Sequence, residues 1–432
     1  MKRSLITTGL GLLLAAVAPA CGGQEEGLAL PGDVDDSPEG GGKGDEWNGE
    51  NDPANLSTHL QYKLDALPKS GKIDKPVWSK RFEPKADDPV MWSDTYWPTA
   101  EGSTNVRWLG ADTRSPLEKY DQAFNNAAGC ATQPAKRCGD TAKAQWATYL
   151  SCAGPAAKWH ATNFHGSMQM YDGVDSDGDG KVDECEGDHD GIEGWWGLCH
   201  AWAPSSVLEP EPRHAATHNG VEFTIGDIKA LVHTIYDAND SLMLGGRCHA
   251  KTIERDDKGR VVDADCGDTN AGAWHVIVTN FIGIGDAALV MDRTANFEVW
   301  NQPIHSYQVN MQRKVSKTRA NECIGGASGR VYTYNPAAET LYEVEMTAAF
   351  LVETNASEER LGVDGFLQDA TYHYILELDS RGKVIGGEWC DESATAHPDF
   401  LWAPQGPSQS SYGRNPSVDI DNVMKLLELS RK

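Results

Sequence analysis

Apolar and polar positions along this chain divide it into stretches with different periods. Between 56 and 160 the spacing is helical over 56–67, 116–128 and 141–150, around a Trp/Pro-rich stretch that holds Trp92 and Trp97. The segment 225–236 carries Ile225, Ile228, Leu231, Val232 and Ile235 at helical spacing, with Thr224 placed to cap it. Two apolar runs follow, 274–281 and 287–291, which read as strands separated by the turn Ile282-Gly283-Ile284-Gly285. Beyond Trp300 the pattern is mostly β, over 331–334, 340–352, 372–378 and 383–389. A last helix is expected over 420–429 from the spacing of Ile420, Val423, Leu426 and Leu427. The chain therefore reads as α+β, without internal repeats. Its parts are a helical region over 56–160 that could be a pro-region, a core over 161–310, and a β-rich part with a final helix over 311–432.

One stretch lies outside this periodicity. Gly194-Trp195-Trp196-Gly197-Leu198-Cys199-His200-Ala201-Trp202-Ala203-Pro204 sets one cysteine among small residues and tryptophans. It reads as a loop turning into a short helix that Pro204 limits. A thiol in a first helical turn feels the positive end of the helix dipole, which favours the thiolate nucleophile. The competing reading is a half-cystine in a tryptophan-rich core.

Composition narrows the class. The chain has 432 residues, with 64 Asp+Glu against 38 Lys+Arg and a formal charge of −26, which excludes nucleic acid as a partner because phosphate binding needs a basic face. Lys2 and Arg3 precede an apolar stretch over 5–17 that closes with Ala18-Pro19-Ala20-Cys21, a signal peptide with a lipobox-like end. An exported protein is expected, anchored by lipid at Cys21 as a bacterial outer-membrane or cell-surface lipoprotein, or otherwise secreted. Residues 22–55 form an acidic, Gly-rich tether. With Cys21 set aside and Cys199 free, eight cysteines remain, an even number suited to four disulfides.

A cysteine nucleophile needs a base and a group to orient it. If 274–281 and 287–291 form a hairpin, His275 and Asp292 fall opposite each other, close enough for an imidazole N–H to reach the carboxylate. Trp196 and Trp202 are candidates to donate to an oxyanion or to line a tunnel. Upstream, residues 175–186 fit the calcium-loop pattern D-x-D-x-D-G-x5-E in full. Asp175, Asp177, Asp179, Asp183 and Glu186 would supply carboxylates and Lys181 a backbone carbonyl to one Ca²⁺, in a structural or regulatory role.

These residues carry a family resemblance. The run from Glu298 to Val309, with Val299-Trp300-Asn301-Gln302-Pro303 at its centre, is similar to the surface segment of the oomycete cell-wall transglutaminase elicitors, VWNQPVRGFKV. Gly197-Leu198-Cys199-His200-Ala201-Trp202-Ala203-Pro204 resembles that family's nucleophile turn. The resemblance implies a papain-like transglutaminase core and acyl transfer from protein-bound glutamine to an amine, usually lysine, cross-linking proteins. It places Cys199 as nucleophile, His275 as base and Asp292 as orienting carboxylate, with Trp300, Asn301, Gln302 and Pro303 in an exposed, elicitor-like segment. His305, Ser306 and Gln308 stand where that segment has Arg, Gly and Lys. The alternatives are a papain-like cysteine protease or deamidase, and a catalytically inactive, calcium-stabilised surface binding module. A disulfide at Cys199 would sink the triad and leave the calcium-loop binding module as the better reading.

Overall fold

A fifteen-residue strand, β7 (Asn301–Val315), is the member of the sheet on which the rest converges. The computed structural model describes residues 16–17, 47–49, 51–78, 81–134, 140–163, 194–246, 268–293, 298–326, 329–410 and 412–432. The other strands are β1 (Ala16–Val17), β2 (Ser70–Lys72), β3 (Ala216–His218), β4 (Val221–Phe223), β5 (Asn239–Leu244), β6 (Val290–Asp292), β8 (Thr340–Leu351), β9 (Leu367–Leu378), β10 (Val384–Trp389) and β11 (Leu401–Pro407). The helices are α1 (Pro116–Phe124), α2 (Asp140–Cys152), α3 (Pro155–Asn163), α4 (Cys199–Leu208), α5 (Ile225–Tyr236), α6 (Ala271–Phe281), α7 (Lys317–Cys323) and α8 (Ile420–Ser430). Among the described residues the main sheet runs β1-β5-β11-β6-β7-β8-β9-β10, with β2 also paired to β7 and β3–β4 forming a separate hairpin.

The helices begin where their caps dictate. Thr224 and Asp227 close a capping box on α5, and Ser115 and Glu118 do the same on α1. Among the described residues the core has two large parts, besides a small third cluster around Cys323 and Cys390. One lies along the sheet with α4 and α6, and holds Trp92, Trp202, Trp274 and Trp402. The other is helical and joins α1, α5 and α8 through Leu117, Phe223, Leu231 and Leu427. Leu56, Ile73, Met91 and Trp92 belong to the sheet core, so part of the 56–160 region packs directly on the sheet.

Four expectations are corrected. The segment 56–67 is largely irregular, with a 3₁₀ turn at Leu64–Ala66, and 331–334 is not a strand. The run 274–281 is helical and belongs to α6, so the proposed hairpin does not exist; only the short β6 follows. Asn270 caps α6 by accepting from the Gly272 and Ala273 amides. Residues 271–280 are all buried, so no polar face reveals a helical period and the run mimics a buried strand. Finally, α4 continues through Pro204 to Leu208. Proline there removes the amide that would bond the His200 carbonyl, and the Asn239 side chain fills the gap, donating to that carbonyl at 3.3 Å.

Candidate active site

Cys199 is the first residue of α4, and the chain before it is clamped by a second segment. The Leu198 amide donates to the Tyr96 carbonyl at 2.5 Å, and the Thr99 amide to the Trp196 carbonyl at 2.9 Å. A Cβ on Gly197 would collide with the Tyr96 ring and carbonyl, so glycine alone fits between them. The clamp seats Cys199, which is fully buried. The Val299 carbonyl oxygen lies 3.6 Å from Sγ, and Asn301 Nδ2 lies 3.5 Å from it. Trp402 Nε1 donates to Asn301 Oδ1 at 2.9 Å, fixing which way the amide points.

The thiol itself is not free. Cys199 is disulfide-bonded, and no described cysteine is a free thiol. The described pairs are Cys130–Cys152 and Cys323–Cys390, so the sulfur bonded to Cys199 lies outside the described residues. This corrects the expectation of a free Cys199. Parity never required it, because all ten cysteines make as even a set as eight.

Strand register separates the expected triad. Side chains alternate between faces along a strand. Asp292 pairs with Asn301, Val290 with Pro303, and Trp402 with Val290, which puts Asp292 and Asn301 on the Cys199 face. Met291 and Gln302 occupy the other face. There the Tyr372 hydroxyl lies 3.9 Å from Met291 Sδ, and Tyr374, two residues along β9, meets His275 Nδ1 at 2.8 Å. His275 therefore sits across the sheet from Cys199 and Asp292, on a helix packed against β9 and β10. Burial pushes its pKa down to about 3, so the ring stays neutral. Asp292 is buried, and its Oδ1 accepts from the Trp300 amide at 3.0 Å.

The neighbouring His200 turns towards the end of α5, with Nε2 at 3.0 Å from Asp237 Oδ1. Trp202 is fully buried and its indole N–H has no partner among the described residues. Trp196 is buried and packs edge-on against Trp195. The elicitor-like segment is not a surface segment. Trp300 is half-buried and edge-on to Tyr96, while Asn301, Gln302 and Pro303 are buried in β7 because they lie in mid-sheet between β6 and the core. Gln302 Nε2 donates to Glu353 Oε2 at 2.9 Å, and burial pushes Glu353 up to about 7. Sequence reasoning thus missed Asn301 as the side chain at the sulfur. Trp402 and Tyr96, about a hundred residues away on either side of it or the turn, left no local signal. The calcium-loop residues 175–186 lie outside the described residues.

A cysteine-headed helix laid on an antiparallel sheet, with this clamp and this strand, gives a transglutaminase-like fold. The chain belongs to the transglutaminase elicitor family, whose model matches residues 58–432. Among solved structures it is similar to the GP42 transglutaminase from Phytophthora sojae, with 26% sequence identity and a TM-score of 0.60, over 87% of this chain and 95% of that one. No curated protein matches the chain. Among the described residues no helix is long and apolar enough to cross a membrane.

Proposed function

We infer that the protein is a protein-glutamine gamma-glutamyltransferase whose nucleophile is held latent in the Cys199 disulfide. The observation that carries this reading is the seat of Cys199. It opens α4 with Asn301 at the sulfur and Asp292 as Asn301's cross-strand partner, in a chain of transglutaminase fold. Once an external dithiol has reduced the disulfide, the Cys199 thiolate attacks the carboxamide carbon of a protein glutamine, the departing nitrogen takes a proton from water and leaves as ammonia, and a thioester forms. An amine, usually a lysine side chain, then attacks the thioester, giving an isopeptide bond and returning the thiol. The start of α4 and the buried Trp202 indole N–H would stabilise the oxyanion. Asp292 is the carboxylate on the sulfur's face, and Asn301 fixes the sulfur's surroundings. His275 is assigned a packing role.

Ca²⁺ bound by Asp175, Asp177, Asp179, Asp183, Glu186 and the Lys181 carbonyl would neutralise that loop upstream of the nucleophile turn. The described disulfides fit an oxidising, exported setting. Lipid attachment at Cys21 would tether the enzyme to a membrane surface.

A second reading is favoured by one observation: Cys199 is bonded, and no described histidine contacts its sulfur. It makes the chain a catalytically silent, calcium-stabilised binding module. Assaying reduced protein with a glutamine peptide and dansylcadaverine separates the possibilities. Amine incorporation that disappears in Cys199→Ser supports the transferase. Ammonia release without incorporation indicates a deamidase, and neither product indicates the module.

A further inference from the structure

Two sulfurs and an imidazole meet where α7 is stapled to the sheet. Cys323 ends α7, Cys390 directly follows β10, and His373 lies on β9. The two cysteines are disulfide-bonded, and their sulfurs and a ring nitrogen of His373 all lie within 4.8 Å of one another. The imidazole has a fixed direction. Its Nδ1 faces Asp391 Oδ2 at 2.8 Å, and its Nε2 lies 3.6 Å from Cys323 Sγ and 3.1 Å from Glu343 Oε1. A histidine that ligates a metal through one nitrogen is as a rule oriented by a carboxylate or carbonyl on the other, and Asp391 occupies that position. A disulfide by itself makes no use of a histidine held in this way.

The spacing is that of a zinc site. With Zn–S bonds of about 2.3 Å and Zn–N bonds of about 2.0 Å, the S···N edge of a tetrahedron is about 3.6 Å. The His373–Cys323 separation already has that length. The S···S edge, about 3.8 Å in the same geometry, opens by rotation of the two side chains once the bond between them is broken. Thiolate and imidazole donors suit zinc and not calcium or magnesium. The fourth position falls to water or to Glu343, which already lies beside Nε2.

The frame of the site does not depend on the disulfide. The Cys390 amide donates to the His373 carbonyl and the His373 amide to Ser393 Oγ, each at 2.9 Å. Helix α7 is held separately by Arg319, whose guanidinium donates to Glu343 Oε1 at 2.7 Å. Cys323 and Cys390 are buried among Ala320, Ile324, Leu341 and Ile375, which limits competition from water.

We propose that Cys323, Cys390 and His373 form a redox-gated zinc site, closed as a disulfide in the oxidised chain and open to the metal in the reduced one. An external dithiol passes two electrons to the Cys323–Cys390 bond and leaves as its own cyclic disulfide, freeing two thiols. Zn²⁺ then binds both sulfurs as thiolates together with His373 Nε2, and the displaced protons pass to solvent. The ion replaces the covalent link between α7 and the β9–β10 edge under the reducing conditions that free Cys199. The site itself does not rest on the transferase reading.

The test is Co²⁺ titration of the full chain, reduced with dithiothreitol and freed of it under argon, with no glutamine donor or amine present. Metal binding is then read apart from acyl transfer, and either reading can fail alone. Other reduced cysteines contribute equally to Cys323→Ser/Cys390→Ser, so the site is read as the difference between wild type and this variant. Expected is a thiolate-to-cobalt charge-transfer band in that difference, absent before reduction and displaced by one equivalent of Zn²⁺. His373→Ala keeps both sulfurs, and the disulfide in the oxidised chain, and should raise the dissociation constant at least tenfold. A reduced wild-type spectrum equal to the double variant's overturns the proposal, as does a His373→Ala titration equal to wild type's. Near-UV circular dichroism is followed in parallel: a reduced chain that loses its tertiary signal and does not regain it with Zn²⁺ also overturns it.

Discussion

Asn301 presents its side-chain amide to Cys199 Sγ at 3.5 Å, with the amide oxygen fixed by the Trp402 indole at 2.9 Å. Asn301→Ala removes both contacts. It leaves the buried Trp402 N–H without an acceptor, which costs about 1–3 kcal/mol. After reduction, alkylation of Cys199 by iodoacetamide should slow in this variant, because the thiolate loses a hydrogen-bond donor. Asn301→Asp should slow it further by placing a carboxylate at the sulfur. Alkylation rates against pH, read at Cys199 by peptide mass spectrometry, check both.

Gly197 supports the same site from the backbone. Gly197→Ala sets a methyl group against the Tyr96 ring and carbonyl, so the clamp that holds Leu198 must open. Amine incorporation should fall at least tenfold while the far-UV circular dichroism is unchanged, because the displaced residues are in loops. Wild-type turnover in Gly197→Ala would remove the clamp from the account.

His275 makes a pH prediction with a definite sign. Its folded pKa, about 3, lies below the ordinary histidine value of 6.5. The neutral ring therefore contributes stability in full above pH 6.5, and that contribution is lost as pH falls from 6.5 towards 3. His275→Gln keeps a polar contact to Tyr374 and cannot titrate. Its melting temperature should fall less steeply than wild type's between pH 6.5 and 4. Amine incorporation should persist in the folded variant, and its complete loss there would restore His275 to the reaction.

Lys229 and Glu211 form a fully buried ion pair at 2.8 Å, with Lys229 lying over the Trp92 ring. Removing Lys229 leaves the buried Glu211 carboxylate to Arg360 at 3.6 Å and to the Leu361 and Gly362 amides. Lys229→Met is expected to cost about 3–5 kcal/mol. Glu211→Leu also takes the acceptor from the Leu361 and Gly362 amides, so the double variant Lys229→Met/Glu211→Leu should recover only part of that, measured by denaturant unfolding.

What the sequence discloses follows from how each element is stabilised. Helices α5 and α8 are amphipathic or capped by nearby residues, so spacing and caps locate them within a residue or two. The strands β8, β9 and β10 were likewise legible from β-rich runs. The identity of α6 was hidden because every side chain over 271–280 is buried, and buried helix and buried strand look alike in such a run. That one ambiguity propagated into the site, since the His275–Asp292 pairing existed only in the hairpin. Cys199 was legible from its local turn. Its disulfide, and its contacts with Asn301, Tyr96 and Trp402, are set by chain pairings that no local pattern encodes.

The most direct test of the account is dansylcadaverine incorporation into a glutamine-bearing protein, with Ca²⁺ present, by the same preparation before and after reduction by a mild dithiol. Iodoacetamide labelling should report the state of Cys199 in parallel. The account predicts no incorporation while Cys199 is bonded, incorporation once Cys199 is labelled as a free thiol, and none in Cys199→Ser. Absence of incorporation from protein that is folded and free at Cys199 would contradict it, as would equal incorporation by Cys199→Ser.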